Sequence, residues 1–272
     1  MIILIKLQRN KFLFVGQTGV GKTRALFDIA LRYMVADKQV FYLAFDAGYI
    51  RHLPKVDGYF VYHTEPEYSS AEEGEKFHLW DCGDLVTARR AYRDAKMLMN
   101  KGDALMLDRI DLHWERAQEH YIRNKIGIAG LEAEPEVEGG FETVDWQVIK
   151  ENHNSVAFDG VEGTDTRLQR INVFATALAQ PGITSWTKKG QTESKKSQED
   201  PRKLRSLGVT IKGEGNVPTY FDTLVLMELA PQGYVMSTSK DRERELIHRQ
   251  VIEDGEQFWE AYERYTGEKL EV

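Results

Sequence analysis

An α/β domain, with a mainly parallel sheet covered by helices on both faces, is what this sequence predicts. Three observations carry that reading. Short apolar runs of strand length alternate with segments whose apolar residues recur at helical spacing. At 272 residues, 42% of them apolar, the chain is long enough to bury one large core. And the first clear strand passes through a glycine-rich turn directly into a helix.

The elements follow in order. Residues 1–7 are a candidate strand, with Gln8-Arg9-Asn10 as its turn. Lys11–Val15 is an apolar run stopped by Gly16 and reads as a buried strand. From Lys22 to Ala36, Ala25, Leu26, Ile29, Ala30 and Tyr33 fall on one helical stripe. Gln39–Phe45 is a strand ending at Asp46-Ala47-Gly48, and residues 59–63 and 77–81 give two more. Asp84 is placed to cap a helix over Leu85–Met99 that ends at Asn100-Lys101-Gly102. Ala104–Leu107 is an apolar strand running into Asp108. Between 131 and 149 there are six acidic residues and no basic one, which predicts a solvated loop or insertion. The segment 188–205 reverses the balance at net +4 and, being rich in Gly, Gln, Thr and Ser, reads as a loop. Glu243–Tyr265 reads as a helix whose stripe of Phe258, Trp259, Tyr262 and Tyr265 is better suited to packing than to stacking on bases. The expected organisation is one domain over 1–242 and a helical tail over 243–272.

Composition excludes several classes. A single cysteine, Cys82, rules out a disulfide framework and a multi-cysteine zinc cage and fits a reducing compartment. The apolar run Met1–Ile5 is too short for the core of a signal peptide, and no stretch reaches the ~18 apolar residues of a membrane span. The expectation is a cytoplasmic protein that meets no membrane. A formal net charge of -7 argues against a surface that grips nucleic acid everywhere, so any such contact must be local.

Residues 16–23, Gly-Gln-Thr-Gly-Val-Gly-Lys-Thr, match the phosphate-binding loop G-x-x-x-x-G-K-[ST] between a strand and a helix. Gly16, Gly19 and Gly21 let the backbone curl where a β-carbon would obstruct. The amides of Gln17, Thr18, Gly19, Val20 and the helix start can then point at an anion. Lys22 is placed for the β- and γ-phosphates and Thr23 for magnesium, so ATP and Mg2+ are the implied ligands. Asp108, closing an apolar strand, is the Walker-B carboxylate that would hold a metal-bound water. Asp111 is the fallback, though its place suits capping the next helix. Two carboxylates compete to orient the hydrolytic water, Asp46 and Glu115.

The order of these parts resembles the RecA-like P-loop ATPases, and more narrowly the phage-encoded RecA-like (AAA-type) ATPases grouped with single-strand annealing and recombination proteins. The resemblance covers most of the chain, with the P-loop as its specific part. It implies a RecA-like fold and gives Asp46 the place of the family's catalytic glutamate, at the end of the next strand after the P-loop strand; Asp in place of Glu implies slow hydrolysis. It implies a polar sensor on the strand after Walker B, either Thr176 within Asn172–Ala177 or one of Thr184, Ser185 and Thr187 within Ile183–Thr187. Leu168, Ile171, Ala175 and Leu178 fit a helix ending before Pro181, which favours the second. It also implies that Lys240 and Arg242, following the strand Tyr234–Ser237, reach a neighbour's γ-phosphate in a homo-oligomer, a ring or filament. An ordinary basic start to a charged helix is the competing reading, since Glu243 and Glu245 follow. Finally, it implies contact with single-stranded DNA through Lys188, Lys189, Lys195, Lys196, Arg202, Lys203 and Arg205, with Trp186 at the root of the segment; a solvated lysine loop fits the same residues.

The leading expectation is thus a Mg-dependent, oligomeric ATPase acting on DNA in phage recombination or replication. Two alternatives stay open: a P-loop kinase for a nucleotide or small molecule, for which Asp108-Arg109 resembles an acceptor-site pair, and a nucleotide-dependent assembly module without turnover.

Overall fold

Strand interiors that are apolar on both faces require cover on both faces. In the computed structural model, which describes residues 10–62, 75–126, 143–162, 171–181, 209–241, 246–267, 269 and 272, the first strand shows the pattern. β1 (Lys11–Gly16) sends Phe12 and Phe14 into one core and Leu13 and Val15 into the other, all buried. The elements that follow are α1 (Lys22–Val35), β2 (Val40–Ala44), a 3₁₀ helix (Ala47–Val56), β3 (Phe60–Tyr62), β4 (Phe77–Asp81), α2 (Leu85–Leu98), β5 (Ala104–Asp108) and α3 (Ile110–Ile126). Beyond them lie α4 (Thr143–Asn154), α5 (Ala157–Glu162), β6 (Asn172–Pro181), β7 (Val209–Ile211), α6 (Val217–Tyr220), β8 (Thr223–Ala230), β9 (Gly233–Asp241), β10 (Gln250–Val251) and α7 (Phe258–Thr266).

The strands form one sheet in the order β10-β9-β8-β1-β6-β5-β2-β4-β3, with β7 joined to the end of β6. From β8 to β3 every neighbouring pair is parallel; β7, β9 and β10 add antiparallel pairs. Residues from α1 and α7 sit in the core on the Phe12 and Phe14 face, and residues from α2, α3 and α5 in the core on the other. The α/β class with a mainly parallel, doubly covered sheet is as the sequence predicts. Asp84 does cap α2, accepting a hydrogen bond from the Thr87 amide at 2.7 Å.

Three expectations are corrected. The helix drawn through Ile171, Ala175 and Leu178 is instead the central strand β6, paired in parallel with β1 and β5. Its alternation, Val173, Ala175 and Ala177 in one core and Phe174 in the other, is a strand period that the alanines disguise; two-sided pairing overrides their helical preference. Residues 143–149 of the acidic stretch are the start of α4 rather than loop, because Asp145 and Ile149 turn onto α3, where Asp145 is met by Tyr121 and Lys125. The tail is not one helix. Ile247 is buried, Val251 pairs with Val235 in β10, and among the described residues of the tail only Phe258–Thr266 is helical. That short helix has its own signals, a capping box at Gln257 and Glu260 and a left-handed Gly267 at its end. Its stripe packs as expected: Phe258 lies edge-on to Phe14 at 4.8 Å and Tyr262 edge-on to Phe12 at 5.3 Å. The candidate strand 1–7, residues 131–142, the stretch 183–187 and the basic segment 188–205 lie outside the described residues.

Candidate functional site

The site forms where β1, β2, β5 and β6 end together. At Gly16 the strand turns so close to β8 that a β-carbon would stand 2.3 Å from the Met227 carbonyl oxygen. The loop closes at Gly21, whose left-handed backbone (φ 89°) caps α1 with no side-chain acceptor for the helix amides. Those first amides are the orphan donors that a phosphate group satisfies. Within the loop, Val20 is buried over Gly16, and the Gln17 side chain donates to the Ala179 carbonyl on β6 at 3.1 Å. Thr18 and Gly19 are exposed at the tip.

Lys22 is folded back over this loop. Its ammonium donates to the carbonyl oxygens of Gly16 (2.8 Å) and Gln17 (2.7 Å). Burial, and then the nearby Arg109 cation, pull its pKa down to about 8, against the opposing pull of Asp111, Asp108 and Asp46.

Asp108 is fully buried and accepts three hydroxyl hydrogen bonds: Tyr42 at 2.6 Å, Thr176 at 2.5 Å and Thr23 at 3.1 Å. Burial raises its pKa, while the hydroxyls of Thr176, Tyr42 and Thr23 work the other way. Thr23 and Asp108, expected from sequence as metal ligands, are therefore in direct contact. Their donor set is one hydroxyl and one carboxylate, both hard oxygens. It fits magnesium, which keeps most of its waters and takes few protein ligands beside substrate phosphate. Among the described residues no cluster of three or more His, Cys, Asp or Glu competes as a metal site.

Next to Asp108, Arg109 has a left-handed backbone (φ 71°), a conformation costing a non-glycine residue roughly 1–2 kcal/mol. Its amide donates to the Thr176 hydroxyl at 2.7 Å, and its carbonyl receives the first helical bond of α3 from Leu112 at 2.9 Å. The turn sends the guanidinium toward Asp46 and Asp111. Asp111 takes it with two donors, Nε at 3.0 Å and Nη2 at 2.8 Å, and also accepts the Leu178 amide at 3.2 Å. Asp46 takes Nη1 at 3.0 Å through one oxygen and the Gly48 amide at 2.8 Å through the other. Asp46, Asp108 and Lys22 are thus brought together; the motifs single out Lys22 and Asp108, and Asp46 stands where the resemblance puts it. Asp111 anchors an arginine from the first turn of α3 rather than serving only as a cap. Glu115, the competitor of Asp46, instead pairs with Lys212. Of the two stretches weighed for the polar residue after the Asp108 strand, Asn172–Ala177 is strand and brings Thr176 to Asp108, while Ile183–Thr187 lies outside the described residues.

Two residues of this cluster escape sequence reading. Tyr42 looks like core in an apolar strand, and nothing in the sequence marks its hydroxyl. Arg109 is visible only as the neighbour of Asp108; its left-handed turn is what directs it.

On the other side of the loop, a pocket of about 440 Å³ lies between α1 and β8, β9 and β10. Gly21, Arg24, Met227, Tyr234, Val251 and Phe258 line it, with the Tyr234 ring 3.6 Å from where a Gly21 β-carbon would be. The backbone of Lys240 is not near this chain's own loop. It pairs with Leu224, in the row of Leu13, three positions and so about 10 Å back along the strand from Gly16. Arg242 lies outside the described residues.

No family model and no curated protein matches this sequence. Among solved structures, the chain is similar to an ATPase domain, at 12% identity and TM-score 0.44, over 88% of this chain and 79% of that one. It is similar at the same identity and TM-score to a DnaB-like replicative helicase described with its primase interactions. That match covers 88% of this chain but 54% of the helicase, so the chain spans about half of that protein. Among the described residues no helix is long and apolar enough to cross a membrane.

Proposed function

We propose that this protein is a RecA-like P-loop ATPase that binds ATP with Mg2+ and hydrolyses it. The observation that carries the reading is the convergence of Lys22, Thr23, Asp108 and Asp46 around one loop. The amides of residues 17–23 would hold the phosphates, with Lys22 exchanging its two carbonyl acceptors for phosphate oxygens. Magnesium, held through Thr23 and Asp108, would supply charge neutralisation at the β- and γ-oxygens. Asp108 is kept in place by Tyr42 and Thr176. Asp46 is the group placed to orient water and take its proton. The pocket beside Gly21 and Arg24 lies on the far side of the loop from Asp108. Its volume and apolar wall suit a nucleobase, with Tyr234 as the stacking partner.

The oligomer and DNA contacts extend this reading. Lys240 lies away from its own P-loop, which is the arrangement a residue serving a neighbouring copy requires, and Arg242 would act with it. Single-stranded DNA would be met by the basic segment 188–205. The assembly-module reading also has an observation in its favour, because Asp46 is held by Arg109. Phosphate release measured across protein concentration, with and without single-stranded DNA and at two salt levels, tests these points together. Turnover that rises with protein concentration supports the shared site. Tight ATP binding without turnover under every condition selects the assembly module.

A further inference from the structure

Both cations of the site are parked on acceptors of the protein itself: Lys22 on the carbonyls of Gly16 and Gln17, and Arg109 on the carboxylates of Asp111 and Asp46. The two ends of Arg109 are not alike. Asp111 is fully buried, grips the guanidinium with two donors and is itself tied to the Leu178 amide. Asp46 holds it by a single donor and is 29% exposed. One end is an anchor and the other can be exchanged. While the exchangeable end stays closed, one oxygen of Asp46 is committed to a cation and the other to the Gly48 amide, which leaves the candidate base poorly disposed to accept a proton from water.

We propose that Arg109 is a triphosphate-responsive latch on Asp46. Pivoting on Asp111, its Nη1 leaves Asp46 for an oxygen of the terminal phosphate, a better partner for a guanidinium than a partly exposed carboxylate. That exchange frees Asp46 for the water. A diphosphate offers no terminal group at that position and leaves the latch closed. Arg109 therefore senses the γ-phosphate within one subunit, separately from any residue a neighbour supplies. The latch rests on the proposed ATP site.

The test compares binding of a non-hydrolysable ATP analogue and of ADP, each with magnesium, to the full chain. Asp46→Asn removes the competitor for Arg109, so it tightens the analogue severalfold and leaves ADP unchanged. Arg109→Lys, which keeps charge but loses the fork, weakens the analogue by roughly tenfold or more, again sparing ADP. In the double variant the gain from Asp46→Asn disappears. A merely structural Arg109 would shift both nucleotides together, and Asp46→Asn would then tighten neither; either result overturns the latch. Arg109→Lys preserves the cation at the anchored end, and a thermal melt checks that each variant is folded. If the wild-type chain binds neither nucleotide, the ATPase reading itself fails; if it binds both and the variants shift them equally, only the latch fails.

Discussion

On the β6 side of β1, carboxylates, hydroxyls and one guanidinium satisfy one another: Asp108 with Tyr42, Thr176 and Thr23, and Arg109 with Asp46 and Asp111. On the β8 side, Met227, Tyr234, Val251 and Phe258 face an open pocket. On the first flank the polar groups are paired with one another before any ligand arrives. The second has an apolar floor that a flat apolar group can cover, with Arg24, Asp28, Glu253, Asp254 and Glu256 also in its lining. Changes on the first should therefore act on turnover and, through Arg109 and Asp46, on the preference for a triphosphate over a diphosphate; changes on the second should act on affinity for both, because only interactions stronger in the transition state than in the ground state raise the rate.

The largest expected effect is at the junction of the two flanks. Lys22→Ala should lower phosphate release at saturating ATP by at least about a hundredfold, since it removes the cation nearest the transferring group. Residual turnover near wild type would break the assignment of the loop. On the β6 flank, Thr176→Val removes the acceptor of the Arg109 amide and one donor to Asp108. It should cost about 1–3 kcal/mol of stability, read from a denaturant midpoint, and lower kcat more than it raises KM. On the β8 flank the opposite split is expected: Tyr234→Ala should raise KM for ATP by roughly tenfold, the worth of one stacked base, with kcat nearly unchanged. A kcat loss there would erase the distinction between the flanks.

The smallest effect is a proton. Lys22 carries a pKa of about 8 in the free site, lowered by burial and by Arg109, so its ammonium is mostly charged at pH 7 and mostly neutral at pH 9. Phosphate oxygens favour the charged form. ATP binding should take up part of a proton at pH 9 and almost none from this group at pH 7. Calorimetry in two buffers of different ionisation enthalpy checks the sign.

Much of the first flank is legible in the sequence because its parts are local. The loop is eight contiguous residues, and Asp46 and Asp108 each end an apolar run. What is not legible is set by pairing across long separations. β6 reads as a helix because Ala175, Ala177 and Ala179 fit either period, and only its bonds to β1 and β5 decide. Tyr42 is a core residue until β5 comes to lie beside β2 and brings Asp108 to its hydroxyl. The second flank is almost invisible. Its walls come from Gly21 and the first turns of α1 (Arg24, Ala25 and Asp28) and from residues 227–258, and no short motif joins them.

β6 runs unbroken to Pro181, which pairs with Val209 on β7. The chain between them, with its seven lysines and arginines in 188–205, therefore starts and ends at one point of the sheet. That point is two residues past Ala179, which the Gln17 side chain holds, and three past Leu178, whose amide holds Asp111. A displacement at that point would reach the P-loop and the arginine anchor through these two bonds, and a change at the loop would travel outward through them in return.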